Sequence, residues 1–311
     1  MNKQINVLVT GANGLLGTAF RNHWRIRRYS NLNVKFSVHY DVAKRDANDI
    51  VFDYLKMDNI DDVLKDIDVL INCVAFTNVN KAENDCWANE YLNAGCLKLL
   101  SEKCKEHNVF LIHFSTDFVY GEDNADCNFE DTNLNPINEY GKAKLKGEKI
   151  IQESGCKHII LRLSWLYSEF SPNFITTLID KFIEDEKVCA ISDMYSSLTY
   201  ADDVVRDVFD IISLNLHEHS YNLTTHNVYN YHNNGYHSIY DVAKQIKNVL
   251  RSESVIKKTT YNGYNFSAPR VKNTASSVNR FETIFFTITD WYISLSQCID
   301  RYLYLKNFNK K

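Results

Sequence analysis

The chain has 311 residues, enough to bury a substantial core without disulfide support. Its 35 Lys+Arg and 39 Asp+Glu residues leave a net charge of −4, with both signs mixed along the chain. No basic field is available to attract nucleic acid or an anionic membrane, and no stretch approaches the roughly 20 apolar residues of a bilayer span.

The apolar run over residues 5–9 stops at once in a glycine loop, unlike an export signal, so a cytoplasmic protein is expected. Cys73, Cys86, Cys96, Cys104, Cys127, Cys156, Cys189 and Cys298 form no CxxC pair and read as reduced core residues.

Short β-branched runs alternate with amphipathic stretches through the first half, the pattern of βαβ units and a parallel sheet. A strand over 6–10 leads into Gly11-Ala12-Asn13-Gly14-Leu15-Leu16-Gly17, which opens a helix over 15–24. The spacing is GxxGxxG. Glycines at such a turn let the backbone approach a pyrophosphate, and free N–H groups at the helix start hold the anion. Gly11, Asn13, Gly14, Leu15, Leu16 and Gly17 are therefore candidate dinucleotide-binding residues. A second strand over 34–39 ends at Ser37-Val38-His39-Tyr40, with Asp41 slightly late and Lys44 and Arg45 beyond. An acid at that end would bind the adenosine ribose of NAD; Lys44 and Arg45 either tolerate a 2′-phosphate or are solvated loop charges. His39 is the residue at this strand end assigned to the cofactor.

Helices over 60–65, 89–107 and 140–154 and strands over 69–74, 110–115 and 158–163 follow. After Trp165 the alternation changes: 173–186, 201–214 and 238–250 read as helices and 221–225 as a strand. The expected architecture is α/β: a Rossmann-like doubly wound parallel sheet over 1–165, with a return of about 201–230. A smaller C-terminal α/β substrate-binding domain takes most of 166–311. Histidines in Asn230-Tyr231-His232 and Gly235-Tyr236-His237 lack paired ligand spacing, so no metal is expected. The basic end over 306–311 is short and reads as frayed.

Ketone reduction needs a hydride donor on one face and a proton donor at the carbonyl oxygen. Tyr140-Gly141-Lys142-Ala143-Lys144 places a phenol and an amine one helical turn apart. A phenol starts near pKa 10, and a close positive charge lowers it by about 1–3 units. YxxxK alone is nearly uninformative in a chain with 19 tyrosines. Its position about 25 residues beyond Phe114-Ser115-Thr116-Asp117, at a predicted strand end, makes Thr116, Tyr140 and Lys144 the catalytic candidates.

At these residues the chain resembles the extended short-chain dehydrogenase/reductases, and more closely the dTDP-4-dehydrorhamnose reductase family. Ser115-Thr116-Asp117-Phe118-Val119-Tyr120 resembles the family's S-T-D-Y-V-F. Asn135-Pro136 through Tyr140, Lys144 and Gly147-Glu148 resembles N-P-x-N-x-Y-G-x-x-K-x-x-G-E. Asp68 through Thr77 with Val79-Asn80-Lys81-Ala82-Glu83, and Arg162-Leu163-Ser164-Trp165-Leu166-Tyr167 with Asn173-Phe174, are similar to further family segments. The chain departs from D-Q-x-G-x-P-T at Asp193-Met194-Tyr195-Ser196-Ser197-Leu198-Thr199, from VDKAE at Asn80, and from R-P at Arg270-Val271.

The resemblance implies NADPH or NADH as cofactor, lined by Asp53, Tyr54, Ala75, Phe76, Thr77 and Asn93 with Tyr140 and Lys144. It implies a nucleotide-sugar substrate against Thr116, Asp117, Tyr140, Trp165 and Asn173, with Trp165 as a flat wall for a deoxysugar. The implied reaction is reduction of dTDP-4-dehydro-L-rhamnose to dTDP-L-rhamnose, in the cytoplasm, toward cell-surface polysaccharide. Another nucleotide-sugar epimerase or reductase and a non-catalytic dinucleotide-binding regulatory subunit are the alternatives. A homodimer is left open.

Overall fold

The structure, a computed structural model, describes residues 4–39, 46, 49–121, 127–214 and 227–308. Asp41, Lys44, Arg45, the strand expected over 221–225 and residues 309–311 lie outside them.

One parallel sheet organises the first part of the chain. Its strands are β1 (Ile5–Thr10), β2 (Leu32–Val38), β3 (Ile50–Val51), β4 (Val69–Asn72), β5 (Phe110–Thr116), β6 (His158–Leu163) and β7 (Val228–Tyr231). They lie in the order β7-β6-β5-β4-β1-β2-β3, every pair parallel. Both faces are covered, so the strands are nearly continuous apolar runs whose alternate residues serve opposite cores. Val7, Val9, Ile71, Ile112 and Leu161 pack beneath the helices Leu15–Ile26 and Ala201–Ser213. Leu8, Leu70, Leu111 and Ile160 pack on the other face, beneath Cys96–Glu106 and Glu139–Ser154. The winding reverses between β1 and β4. At that reversal the loops after adjacent strands diverge and leave a crevice at their carboxyl ends.

Several elements differ from expectation. The helix expected over 89–107 starts earlier, as Cys86–Glu90 capped by the Asp85 side chain, and passes through a π-turn at Tyr91–Gly95 before Cys96–Glu106. The two-residue β3 is too short to announce itself. Residues 173–186 give Phe174–Ile183, with Asn173 as its cap. The unassigned C-terminal stretch contributes a helix, Trp291–Phe308. It joins Tyr167, Ile175, Ile179, Phe182, Val242 and Ile246 in a third apolar core through Leu295 and Ile299. All eight cysteines are free, but Cys86, Cys127 and Cys189 are exposed and so are not core residues; nearby apolar letters do not fix which face of an element a thiol takes.

Phe209 joins the helix Ala201–Ser213 to the first helix, its ring 5.3 Å from Phe20 and 5.9 Å from Trp24 with no solvent exposure. Phe209→Ala is expected to cost about 3–5 kcal/mol. Urea unfolding monitored by circular dichroism checks this; a loss below about 1 kcal/mol would mean that the interface repacks around the cavity.

Candidate active site

The glycine loop follows β1, and each of its glycines meets a different constraint. Gly11 has φ +69°, and a Cβ there would stand 3.0 Å from the Val74 nitrogen. A Cβ on Gly17 would stand 2.2 Å from the Gly11 carbonyl oxygen, so this glycine packs the helix onto the loop. Gly14 is open by contrast: its Cβ would meet only the Gly11 oxygen, at 3.4 Å. Gly14 is also the N-cap of the helix Leu15–Ile26, and no side chain caps that end. The first-turn N–H groups are thus left for an anion.

Two adjoining cavities of about 380 and 390 Å³ share Gly14, Cys73, Val74 and Ala75. The second is lined by Gly11, Asn13, His39, Asp53 and Tyr54. His39 Nε2 lies 3.4 Å from the Asp53 carboxylate, which places both at the far end from the chemistry. The first cavity is lined by Leu15, Leu16, Thr77, Thr116, Asp117, Tyr140, Lys144 and Trp165. An elongated two-part hollow of this kind fits a dinucleotide, its diphosphate on the open glycine between the halves.

In the first cavity Tyr140 stands on the first turn of Glu139–Ser154, whose N-cap Asn138 accepts from the Gly141 N–H. The phenol hydrogen-bonds Thr116. Thr116 Oγ1 also accepts from Phe118 N at 3.3 Å and lies 3.2 Å from Asp117 Oδ1. Burial pushes the Tyr140 phenol up to about 12, the Thr116 hydrogen bond opposes this, and the Asp117 charge adds to it. The expectation that Lys144 lowers the phenol is not met: the amine acts on other groups. Lys144 Nζ turns into the sheet, 2.6 Å from the Phe114 carbonyl oxygen and 3.2 Å from His113 Nε2, because the helix–β5 contact offers those partners first. Burial pushes it down to about 8, against the opposing pull of Glu148 and Cys96.

Asp117 lines the cavity, yet its carboxylate is largely engaged behind the wall. Oδ2 accepts from Ser164 Oγ at 2.7 Å and Ser196 Oγ at 3.1 Å, and Ser196 in turn lies 2.7 Å from Thr274 Oγ1. Burial raises the carboxyl, with the hydroxyl donors acting against it. The departed 193–199 segment therefore supplies a hydroxyl to the site through Ser196. Trp165 follows β6 with φ 33°, a conformation that is strained for an aromatic residue and held here by its surroundings. Its ring sits edge-on to Phe174 at 5.5 Å and separates the cavity from an apolar hollow of about 460 Å³.

Four predicted residues line none of these cavities. Gly17 is a packing residue. Asn93 sits in the π-turn, accepts from Phe76 N at 3.1 Å and donates to Phe76 O at 2.9 Å, so the pair fixes the loop after β4. Asn173 uses its side chain as a capping box for Phe174–Ile183 and donates to the Ser168 and Ser171 carbonyls, which leaves nothing directed at a sugar. The sequence did not single out His113, which meets Lys144 from behind, Asn72, which meets His113, or Ser115, whose buried Oγ has no partner in the cavity wall. Asn72 and Ser115 lie at or next to the ends of β4 and β5, which was the available signal; His113, in the middle of β5, carried none.

Gly14→Ala is expected to leave unfolding stability within about 0.5 kcal/mol. It should weaken dinucleotide binding at least tenfold, because the methyl occupies the anion's place. Gly17→Ala should lower both, since its methyl meets backbone. Thermal unfolding beside a fluorescence titration with NADPH separates the two, and equal effects of both variants would contradict the distinction.

A family model described as the RmlD substrate binding domain matches residues 5–304. A dTDP-4-dehydrorhamnose reductase of Shigella flexneri is 32% identical over 205 residues, 64% of either chain, so the match spans just under two thirds of that relative. The fold is similar to a dTDP-4-dehydrorhamnose reductase of Bacillus anthracis in complex with NADP, with 23% identity, TM-score 0.83, and 96% of this chain and 100% of that one covered. It is also similar to a UDP-glucuronic acid 4-epimerase of Bacillus cereus in complex with UDP-glucuronic acid and NAD, at 22% identity and TM-score 0.78, with 98% and 100% covered. With its glycine loop, its strand-end threonine and its Tyr–Lys helix arranged around one hollow, the chain belongs to the RmlD substrate binding domain family, that of the dTDP-4-dehydrorhamnose reductases.

Proposed function

We propose that this protein is an NAD(P)H-dependent oxidoreductase that reduces the 4-keto group of a nucleotide-linked 6-deoxyhexose. Its first candidate substrate is dTDP-4-dehydro-L-rhamnose and its product dTDP-L-rhamnose. The observation that carries this reading is that Thr116, Tyr140 and Lys144 line one cavity that opens onto the start of the glycine-loop helix. The names of the relatives support the substrate class, and the NADP and NAD bound by the neighbours support the cofactor.

Gly11 to Leu16 would hold the pyrophosphate, and His39, Asp53 and Tyr54 the adenosine side. Tyr140 and Lys144 would flank the nicotinamide ribose. The reduced nicotinamide supplies a hydride when bound. Tyr140 would give its proton to the carbonyl oxygen as the C=O becomes C–OH. A phenol raised to about 12 is fully protonated at neutral pH, so the proton is in place. Thr116 orients the oxygen beside the phenol. Trp165 offers the sugar ring an apolar face. The C-terminal core built after residue 165 is the proposed substrate-binding domain, and the sheet unit the dinucleotide-binding one. A cytoplasmic setting in cell-surface polysaccharide assembly accords with the relatives' chemistry. The hydroxyl-rich 193–199 segment, beside the fold's likeness to an epimerase, favours another nucleotide sugar as the second reading.

With NADPH or NADH and dTDP-4-keto-L-rhamnose, the protein should consume one reduced cofactor per sugar, followed by absorbance; an epimerase would return its cofactor oxidised. Tyr140→Phe should lower kcat about 10²–10⁴-fold with the NADPH dissociation constant nearly unchanged. A variant that turns over undiminished would remove Tyr140 from the acid's role.

A further inference from the structure

Behind the cavity, Lys144 touches a buried chain of polar groups that the proposed chemistry does not use. Lys144 Nζ lies 3.2 Å from His113 Nε2, and His113 Nδ1 lies 3.2 Å from Asn72 Nδ2. Asn72 Oδ1 accepts from the backbone N–H of Val74 at 3.1 Å and from the Tyr54 hydroxyl at 3.0 Å. Asn72, His113 and Lys144 are all about 1% exposed or less, so solvent completes none of these bonds.

Counting hydrogens along this chain settles its polarity. A backbone N–H can only donate, so Asn72 must present its oxygen to Val74, and a flipped amide would set NH₂ against N–H. The Asn72 amide nitrogen then donates to His113 Nδ1, which must be the unprotonated ring nitrogen. A neutral imidazole carries its one hydrogen on the other nitrogen. Imidazolium is strongly opposed here, by burial first and then by the charges of Lys144 and His158. His113 therefore points Nε2–H at Lys144. An ammonium has no lone pair to receive it. The amine that fits accepts from His113 and donates to the Phe114 carbonyl, and it is neutral.

We propose that His113 is a positioning residue that donates its Nε2–H to Lys144 and so governs when that amine carries its proton. Protonation of Lys144 takes one proton from solvent and breaks the His113 bond, because His113 could accept only by moving its hydrogen to Nδ1, against the Asn72 amide. The ammonium is then free to turn toward hydroxyls entering the cavity. On the proposed function, which this step rests on, those are the nicotinamide ribose hydroxyls, and dinucleotide binding is coupled to proton uptake. Burial, which pushes Lys144 down to about 8, agrees with this; the other titratable groups acting on the amine, Glu148 on its own helix and Cys96 on the neighbouring one, pull the other way. The sign follows by linkage. The binding gained from the ammonium is fully present below the free-protein value and is lost as pH rises above about 8, by at most tenfold per pH unit.

The test begins with the wild-type chain, ¹⁵N-labelled at histidine and ¹³C-labelled at lysine Cε, with no dinucleotide added. NMR should show His113 as the neutral Nε2–H tautomer and a Lys144 signal that titrates near pH 8. An Nδ1–H tautomer, or a Lys144 that stays charged beyond pH 10, would overturn the proposal. His113→Gln offers the amine a carbonyl acceptor, so its Lys144 titration should move up by one pH unit or more, and its NADPH affinity should persist to correspondingly higher pH. An unmoved titration in a folded variant also overturns it, since a merely structural histidine would leave the lysine alone. If His113→Gln does not fold, the wild-type tautomer decides. A protein that binds no dinucleotide at any pH would remove the proposed function, while the tautomer measurement would still judge His113.

Discussion

Lys144 carries the geometry of this protein because it is a long amine enclosed where water cannot reach it. Its Nζ bonds the Phe114 carbonyl and meets His113, and so ties the helix that bears Tyr140 to the end of β5, where Thr116 stands. A group that polar is retained in a dry interior only if its bonds are made there. The same tie sets the Tyr140 phenol against the Thr116 hydroxyl. Close approach on the helix's other side depends on Gly147, where a Cβ would stand 2.1 Å from the Asn93 carbonyl oxygen. The π-turn that contains Asn93 in turn holds the loop after β4 through Phe76. One buried side chain and one glycine thus position the Tyr140 helix, the end of β5 and the loop after β4 around the hollow.

The C-terminal part reaches the same point through Asp117. Its carboxylate gathers Ser164 from the end of β6 and Ser196 from the altered segment, with Thr274 from the late loop one hydroxyl further on. This cluster replaces direct pairing with a cation, and burial raises the carboxyl accordingly. Thr116 is bonded both to the phenol and, through Asp117, to the loops on the substrate side. Movement of those loops would therefore be felt at the Thr116 hydroxyl.

Much of this was legible because it depends on short-range spacing. Gly11, Gly14 and Gly17 fall at the intervals a strand-to-helix turn requires, and Thr116, Tyr140 and Lys144 occur in the order that a βαβ unit brings to one end. The alternation of apolar runs announced β1, β2, β4, β5 and β6. What could not be read depends on registers between strands and on competition for hydrogen bonds. His113 meets Asn72 only because β4 and β5 pair the two residues. Asp117 and Asn173 were expected at the substrate, but their polar atoms found nearer partners, the buried hydroxyls in one case and a helix start in the other. Lys144 was expected beside the phenol for the same reason: a one-turn offset along a helix does not say which way a flexible chain will bend.

On the proposed function, the Tyr140 cavity brings a hydride to the carbonyl carbon of a nucleotide sugar and a proton to its oxygen. The most direct measurement uses reduced cofactor deuterated at the transferring position of the nicotinamide, with a dTDP-4-keto-6-deoxyhexose as acceptor and NMR of the isolated sugar. The account predicts one deuterium at C4 of the product for each cofactor oxidised. A product without deuterium at C4, or one formed while the cofactor pool stays unchanged, would contradict it.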